Sequence, residues 1–427
     1  MATLGARLAV AALWIPVRPR TNWLGATIVA SALCALLLAA CGSGSGAAVE
    51  TPNAGGDEPT AAPTQAGDEP TRWGYHPGRA TGGHDPSPTF AALPAGYSID
   101  TFVTGLEQPT SLAFTPDGRL LIAEQRGAIR VVEDGRLRPE PFFTADVFSP
   151  DASDKIVELG LVGITVDPAF EENGYVYIYY TAAQPQQRTV LARLRDETGQ
   201  GVELSEIFSL DATPECCHIA GSLRFAPDGT LFVTVGDHQL EAEAQNRGSA
   251  YGTILRINPD GSAPADNPFA GEAAADARVY AYGLRNPFDL AIDPASGRIY
   301  ATENGFIGQD AIIEIVPGAN YGWPGSGLDV PLAEIAQPLI FYHQSLGPAG
   351  VEFYSGDALP ALTGSLLFCQ FHDGGALHAV SFNADGSVAA DTIIALGCTS
   401  DVQTGPDGKI YFLDYVGGTV YRIAGPS

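Results

Sequence analysis

The sequence predicts an all-β fold, a six-bladed β-propeller, and three observations carry that reading. A strand–turn–strand phrase recurs: FTPDGRLLIAE at 114–124, VDPAFEENGYVYIYY at 166–180, FAPDGTLFVTVGD at 225–237, IDPASGRIYATENG at 292–305 and TGPDGKIYFLD at 404–414. Its turn glycines, Gly118, Gly174, Gly229, Gly297 and Gly408, recur at intervals of 56, 55, 68 and 111 residues. The last interval spans two units, and GDALPALTGSLLFCQF at 356–371 supplies the weaker one between. No stretch of the repeat region carries a convincing helical period, so six units of strand and turn mean radial repetition. In each phrase an apolar strand runs into a tight turn, glycine takes a left-handed position, and an alternating strand returns. The segment from Tyr97 to Val103 precedes the first repeat and is expected to pair with the C-terminal strands near Tyr421, closing the ring.

Three regions follow in order. Residues 1–41 read as an export signal: Arg18 and Arg20 precede an apolar run from Leu24 to Ala40. The run ends in Leu38-Ala39-Ala40-Cys41, which looks like a bacterial lipobox, so Cys41 is the expected lipidation site and the protein is expected on the outer face of the cell membrane as a lipoprotein. Residues 42–90 are rich in Gly, Ser, Ala, Pro, Thr, Asp and Glu and read as a disordered spacer. Residues 91–427 form the propeller. The formal net charge of -27 argues against nucleic acid or anionic lipid surfaces as partners.

Four cysteines lie beyond the leader and anchor: Cys216, Cys217, Cys369 and Cys398. In an oxidising compartment they can form two bridges in three ways, the simplest being a vicinal Cys216–Cys217 pair with Cys369–Cys398. No CxxC spacing supports a zinc–thiolate site.

The richest stretch is ECCHIAGSLRFAPDGTLFVTVGD, Glu215 to Asp237. A strand, a turn and a return strand bring His218 and Asp237 to the same end of one hairpin. A carboxylate beside an imidazole fixes its tautomer and stabilises its protonated form, which suits a general base.

These phrases, in this order, resemble the glucose and sorbosone dehydrogenase family of six-bladed quinoproteins. The resemblance covers about 95–425 and rests on GLVGITVDPAFEENGYVYIYYT at 160–181, HIAGSLRFAPDGTLFVTVGD at 218–237, GTILRINPDGSAPADNPF at 252–269, YAYGLRNPFDLAIDP at 280–294 and IIEIVPGANYGWP at 312–324. It implies oxidation of a sugar or related alcohol with pyrroloquinoline quinone and calcium. His218 would then be the base, Asp237 its orienting partner, and Arg285 and Asn286 cofactor contacts, with Arg285 stabilising charge on the quinone oxygen. Glu158 stands where the family has a cofactor-binding glutamine. The backbone carbonyls of Gly305 and Phe306 would hold calcium. In quinoprotein alcohol dehydrogenases, a different propeller family, a vicinal ring stacks on the quinone; a Cys216–Cys217 ring would do so here, the alternative being cysteines bonded elsewhere or left reduced.

The chain also departs from the family. The Arg-x-Arg-Asp-Val phrase reads Cys398-Thr399-Ser400-Asp401-Val402, and the family's lysine falls near His372 or Asp373. Arg126, Arg224 and His372 are the cations available to compensate. Trp323 reads as packing between blades, His343 and His378 as ordinary strand or loop residues, Asp266-Asn267 as a turn, and Asp310 as a capping carboxylate or calcium neighbour. Two other functions compete with the dehydrogenase: a carbohydrate- or protein-binding propeller without cofactor, and a calcium-dependent lactonase in which Glu158, Asn286 and Asn304 converge on the metal.

Overall fold

Alternating strands and left-handed turns assemble into six antiparallel sheets in a computed structural model, which describes residues 89–148, 158–211, 217–306, 308–325 and 330–426. These residues belong to one unit, Gln65–Ser427. The expected leader, Cys41 and Cys216 lie outside the described residues, as does the spacer up to residue 88.

Blade 1 runs from its inner strand outward as Pro109–Phe114, Leu120–Glu124, Ala128–Glu133 and Arg136–Leu137. Blade 2 is Leu161–Val166, Tyr175–Ala182, Arg188–Glu197 and Gln200–Asp211; blade 3 is Ala220–Phe225, Leu231–Val235, Thr253–Ile257 and Val279–Tyr282. Blade 4 is Pro287–Ile292, Ile299–Glu303, Asp310–Ile315 and Ile340–Tyr342. Blade 5 is Pro348–Tyr354, Ser365–Gln370, Ala376–Phe382 and Val388–Leu396, with Thr89–Phe90 added parallel at its edge. Blade 6 takes Val402–Thr404, Ile410–Asp414 and Thr419–Ala424 from the C-terminus and Ser98–Thr104 from the other end of the chain. That last pairing, with Thr101 opposite Tyr421, is the expected closure. Each inner strand touches the inner strands of both neighbouring blades, so the ring is complete.

The turn glycines behave as their spacing implies. Gly118, Gly229 and Gly297 have φ of +89°, +83° and +74°, and a Cβ on any of them would meet nothing within 4 Å. Glycine is required there by backbone conformation alone. The one departure is a single helical turn, Phe170–Asn173, capped by Gly174 at φ 67°. It forms where Asp167-Pro168 opens the longer turn of blade 2.

Packing follows from the pleat. Six apolar clusters fill the described interior, one between each pair of adjacent blades. The axis is polar instead. Five of the six inner strands begin with a register shift against the second strand, at Pro109/Ser111, Leu161/Gly163, Ala220/Leu223, Pro287/Asp289 and Pro348/Val351. A bulge frees backbone groups from the ladder, and buried ones need other partners. Side chains of the next blade supply them. Asp289 accepts the Val351 N–H at 2.7 Å, Asp401 accepts the Leu112 N–H at 2.8 Å, and Thr302 Oγ1 donates to the Ala349 carbonyl at 2.7 Å. These five bulges lie at the starts of the inner strands, at the end of the ring that opens into a cavity.

Candidate active site

Two points in the repeat face that open end. One is the stretch of up to three residues just before each inner strand; the other is the residue or two just after each second strand. From the first come Glu158, Cys217, His218, Arg285, Asn286, Gly347, Thr399 and Ser400. From the second come Gln125, Asn304, Gly305, Phe371, His372 and Tyr415. Together they line a cavity of about 380 Å³ over the bulged residues Thr110, Val162, Phe288 and Ala349.

Within the hairpin of blade 3, Ala220 opposes Val235, which carries the flanking residues to the same end. His218 Nδ1 lies 2.6 Å from Asp237 Oδ1, and His218 Nε2 has no protein partner among the described residues. Close approach depends on Gly236: a Cβ there would sit 1.9 Å from the His218 carbonyl oxygen. The backbone is held unusually around this pair. His218, Ala220, His238 and Gln239 have φ of 64°, 55°, 48° and 66°. Left-handed non-glycine residues cluster where surrounding contacts enforce them, and functional sites are the commonest such place.

Asp237 is fully buried and accepts three hydrogen bonds. Beyond His218, the Gln239 N–H donates to Oδ1 at 2.8 Å and the Trp323 indole N–H to Oδ2 at 2.7 Å. The Asp237 N–H in turn donates to the Arg285 carbonyl at 2.8 Å, tying blade 3 to blade 4. Trp323 packs in the cluster between those blades, as expected, but sequence reasoning missed its hydrogen bond. Its ring also lies under the Arg285 guanidinium, 5.5 Å from Cζ to centroid.

Arg285 Nη1 donates to the Asn304 carbonyl at 2.9 Å. The N–H groups of Arg285 and Asn286 both reach Glu303 Oε1, at 2.9 and 2.8 Å. Glu303 was missed too; burial pushes its carboxyl up to about 8. The Asn286 amide donates to both oxygens of Glu158 at 3.2 Å, and Glu158 also accepts the Ile219 N–H at 3.0 Å. Three blades are thereby joined at one wall. Two polar atoms in that wall, Asn286 Oδ1 and Arg285 Nε, are buried without partners among the described residues.

Behind the wall formed by blades 5 and 6, Cys369 and Cys398 are buried and disulfide-bonded, with Cα atoms 4.9 Å apart. The bridge joins the ends of the segments that present Phe371-His372 and Thr399-Ser400. Cys217 lines the cavity and is disulfide-bonded. Asp310 is a capping carboxylate: it accepts the N–H groups of Gly305, Leu346 and Gly347, and burial raises its pKa. Gly305 lines the cavity, whereas Phe306 is not among the lining residues. Of the three compensating cations, His372 lines the cavity, and Arg126 lies near enough to the lining Tyr415 to act on it electrostatically. Arg224 does not reach it. It faces the axis beneath, bonded to the Leu290 and Val351 carbonyls and 3.5 Å from Glu352. His343 and His378 stay outside the cavity, and His378 is buried between Asp391 and Gln370.

No group of three or more His, Cys, Asp or Glu side chains among the described residues is arranged to hold a metal. The cavity suits a polar ligand at its Arg285–Asn286 end, where a guanidinium and an amide lie on one wall.

The chain is similar to known sugar dehydrogenases in sequence and in fold. Aldose sugar dehydrogenase YliI of Escherichia coli (strain K12) is 27% identical over 359 residues, 78% of this chain and 94% of that one. A solved oxidoreductase (glucose dehydrogenase) of Thermus thermophilus is 33% identical, with TM-score 0.68 over 77% of this chain and all of that one. The PQQ-bound aldose sugar dehydrogenase of Streptomyces coelicolor is 25% identical, with TM-score 0.63 over 78% of this chain and 99% of that one. The family profile described as Glucose / Sorbosone dehydrogenase matches residues 106–422, nearly the whole ring, and the chain belongs to that family.

Proposed function

We propose that this protein is a sugar (aldose) dehydrogenase dependent on pyrroloquinoline quinone, acting outside the cytoplasm. The observation that carries the reading is His218, fixed on Asp237 through Nδ1, facing the same cavity as Arg285 and Asn286 in a member of this family. The quinone, when bound, supplies the two-electron oxidant that accepts hydride from the sugar. Arg285 and Asn286 hold it, and the guanidinium favours an anionic oxygen at that end. His218 Nε2 takes the hydroxyl proton, and Asp237 stabilises the imidazolium that results. Hydroxyls and amides of Thr399, Ser400, Tyr415 and Gln125, with His372, line the wall where the resembled pattern carries cations.

Calcium belongs to the same proposal, held by the Gly305 and Phe306 carbonyls, as does a Cys216–Cys217 ring against the cofactor. Export and lipidation at Cys41 rest on the lipobox and the apolar run before it. A lactonase is disfavoured by the sequence phrases, which follow the quinoprotein order across the family match. Asn286 donates its amide nitrogen to Glu158, and Asn304 donates its own to the Pro348 carbonyl at 2.8 Å. Reconstitution with calcium and the quinone should give a cofactor absorption band and dye-linked sugar oxidation. His218→Ala should abolish the oxidation with little change in the thermal midpoint, since Asp237 keeps its bonds to Gln239 and Trp323. A reconstituted protein with no band would leave the cofactor-free binding propeller as the answer.

A further inference from the structure

We infer that Trp323 is a positioning residue for the site, setting the charge that Asp237 presents to His218 and supporting Arg285 from beneath. The inference rests on the dehydrogenase reading for its catalytic meaning, but its geometry stands independently. Asp237 is fully buried and has two oxygens to satisfy. Oδ2 is held by the Trp323 indole N–H at 2.7 Å, leaving Oδ1 for His218 and the Gln239 N–H. An indole has one N–H and no acceptor, so the bond has a fixed direction. Donation to one carboxylate oxygen draws negative charge away from the other, and that moderates how strongly Asp237 retains a proton on His218. The same ring lies 5.5 Å from the Arg285 guanidinium, within reach of a cation–π contact. Trp323 is wholly buried and touches both the base's partner and the cofactor-facing arginine.

Other charged groups around His218 bound the effect. His238 and Asp237 come from its own blade, Glu158 from the loop ahead of blade 2, and Arg285 from the loop ahead of blade 4. Glu303 of blade 4 acts on Asp237 from behind. None of these occupies Asp237 Oδ2, where the indole N–H is the hydrogen-bond partner.

The test compares the full chain with Trp323→Phe, which keeps a ring under Arg285 but deletes the donor. Histidine-ring NMR on the cofactor-free protein, with His218 assigned by difference from His218→Ala, should show its titration moved upward by about half a pH unit or more. Reconstituted enzyme should lose about tenfold in kcat with KM changed less, and the acid limb of its pH profile should move with the titration. A His218 titration that overlays the wild type, with only the thermal midpoint lowered, would overturn the inference and leave Trp323 as packing. A second measurement needs no change at Trp323. In Asp237→Asn, the Trp323 indole N–H resonance should shift, and an unmoved resonance is an equally adverse result. If His218→Ala retains turnover, the base assignment fails, while the cofactor-free titration still decides the role of Trp323.

Discussion

Acidification from pH 7 to pH 4 should remove about 3 kcal/mol of stability through a single residue, His238. Its ring is fully buried behind the dyad, with Nδ1 3.4 Å from the Asp211 carbonyl. Burial pushes its pKa down to about 4 from an ordinary 6.5. Between those values the unfolded chain binds a proton that the native state refuses, so stability falls as pH falls through that window. Each pH unit separating the two values is worth about 1.4 kcal/mol, and half-protonation at the lower end trims the total to roughly 3 kcal/mol. Urea unfolding of the wild type and His238→Phe at pH 7, 5.5 and 4 isolates the effect. Phe keeps the edge-on contact with Tyr251, now at 5.0 Å, and any penalty for its left-handed φ is the same at every pH. The variant should therefore lose about 3 kcal/mol less than the wild type across the range. Parallel losses in the two proteins would refute the reasoning.

Arg285→Ala should weaken retention of the quinone and lower turnover together, by about tenfold or more each, read by cofactor titration and dye-linked rates. Replacing Cys369 and Cys398 by serine opens a loop with a sequence separation of 29 and should lower stability by about 3–4 kcal/mol in urea melts. An unchanged midpoint would mean the bridge is absent in the isolated protein. Gly229→Ala should lower stability by about 1–2 kcal/mol at constant m-value, because only the left-handed backbone resists a methyl group in open space. A neutral result there would show that the turn can change type.

The fold was legible because its signals are local. A Pro-Asp-Gly turn and a two-residue alternation announce a hairpin within a dozen residues, and their period announces the ring. The His218–Asp237 pair was legible for the same reason, since one hairpin carries both. Glu158 and Asn286 are 128 residues apart, and nothing in their own neighbourhoods joins them; the family resemblance did that. Trp323 and Glu303 were missed for a different reason. A tryptophan carries much apolar area and one N–H, and the sequence does not say which decides its place. Glu303 looks like any polar strand end until the fold turns it inward under two backbone amides. Arg224 failed as a compensating cation because it lies within its inner strand, below the bulge, and so points along the axis beneath the cavity.

The seam in blade 6 has a consequence for how the protein comes into being. Asp100 and Arg422 meet across it although 322 residues separate them. Until the last strand has left the ribosome, Ser98–Thr104 has no partner and the outer edge of that blade does not exist. Contacts so distant along the chain make for slow folding, and a polypeptide still being made can build up to five blades but cannot lock them. Closure of the ring is therefore the last event in its assembly, made by the pairing of Ser98–Thr104 with Thr419–Ala424.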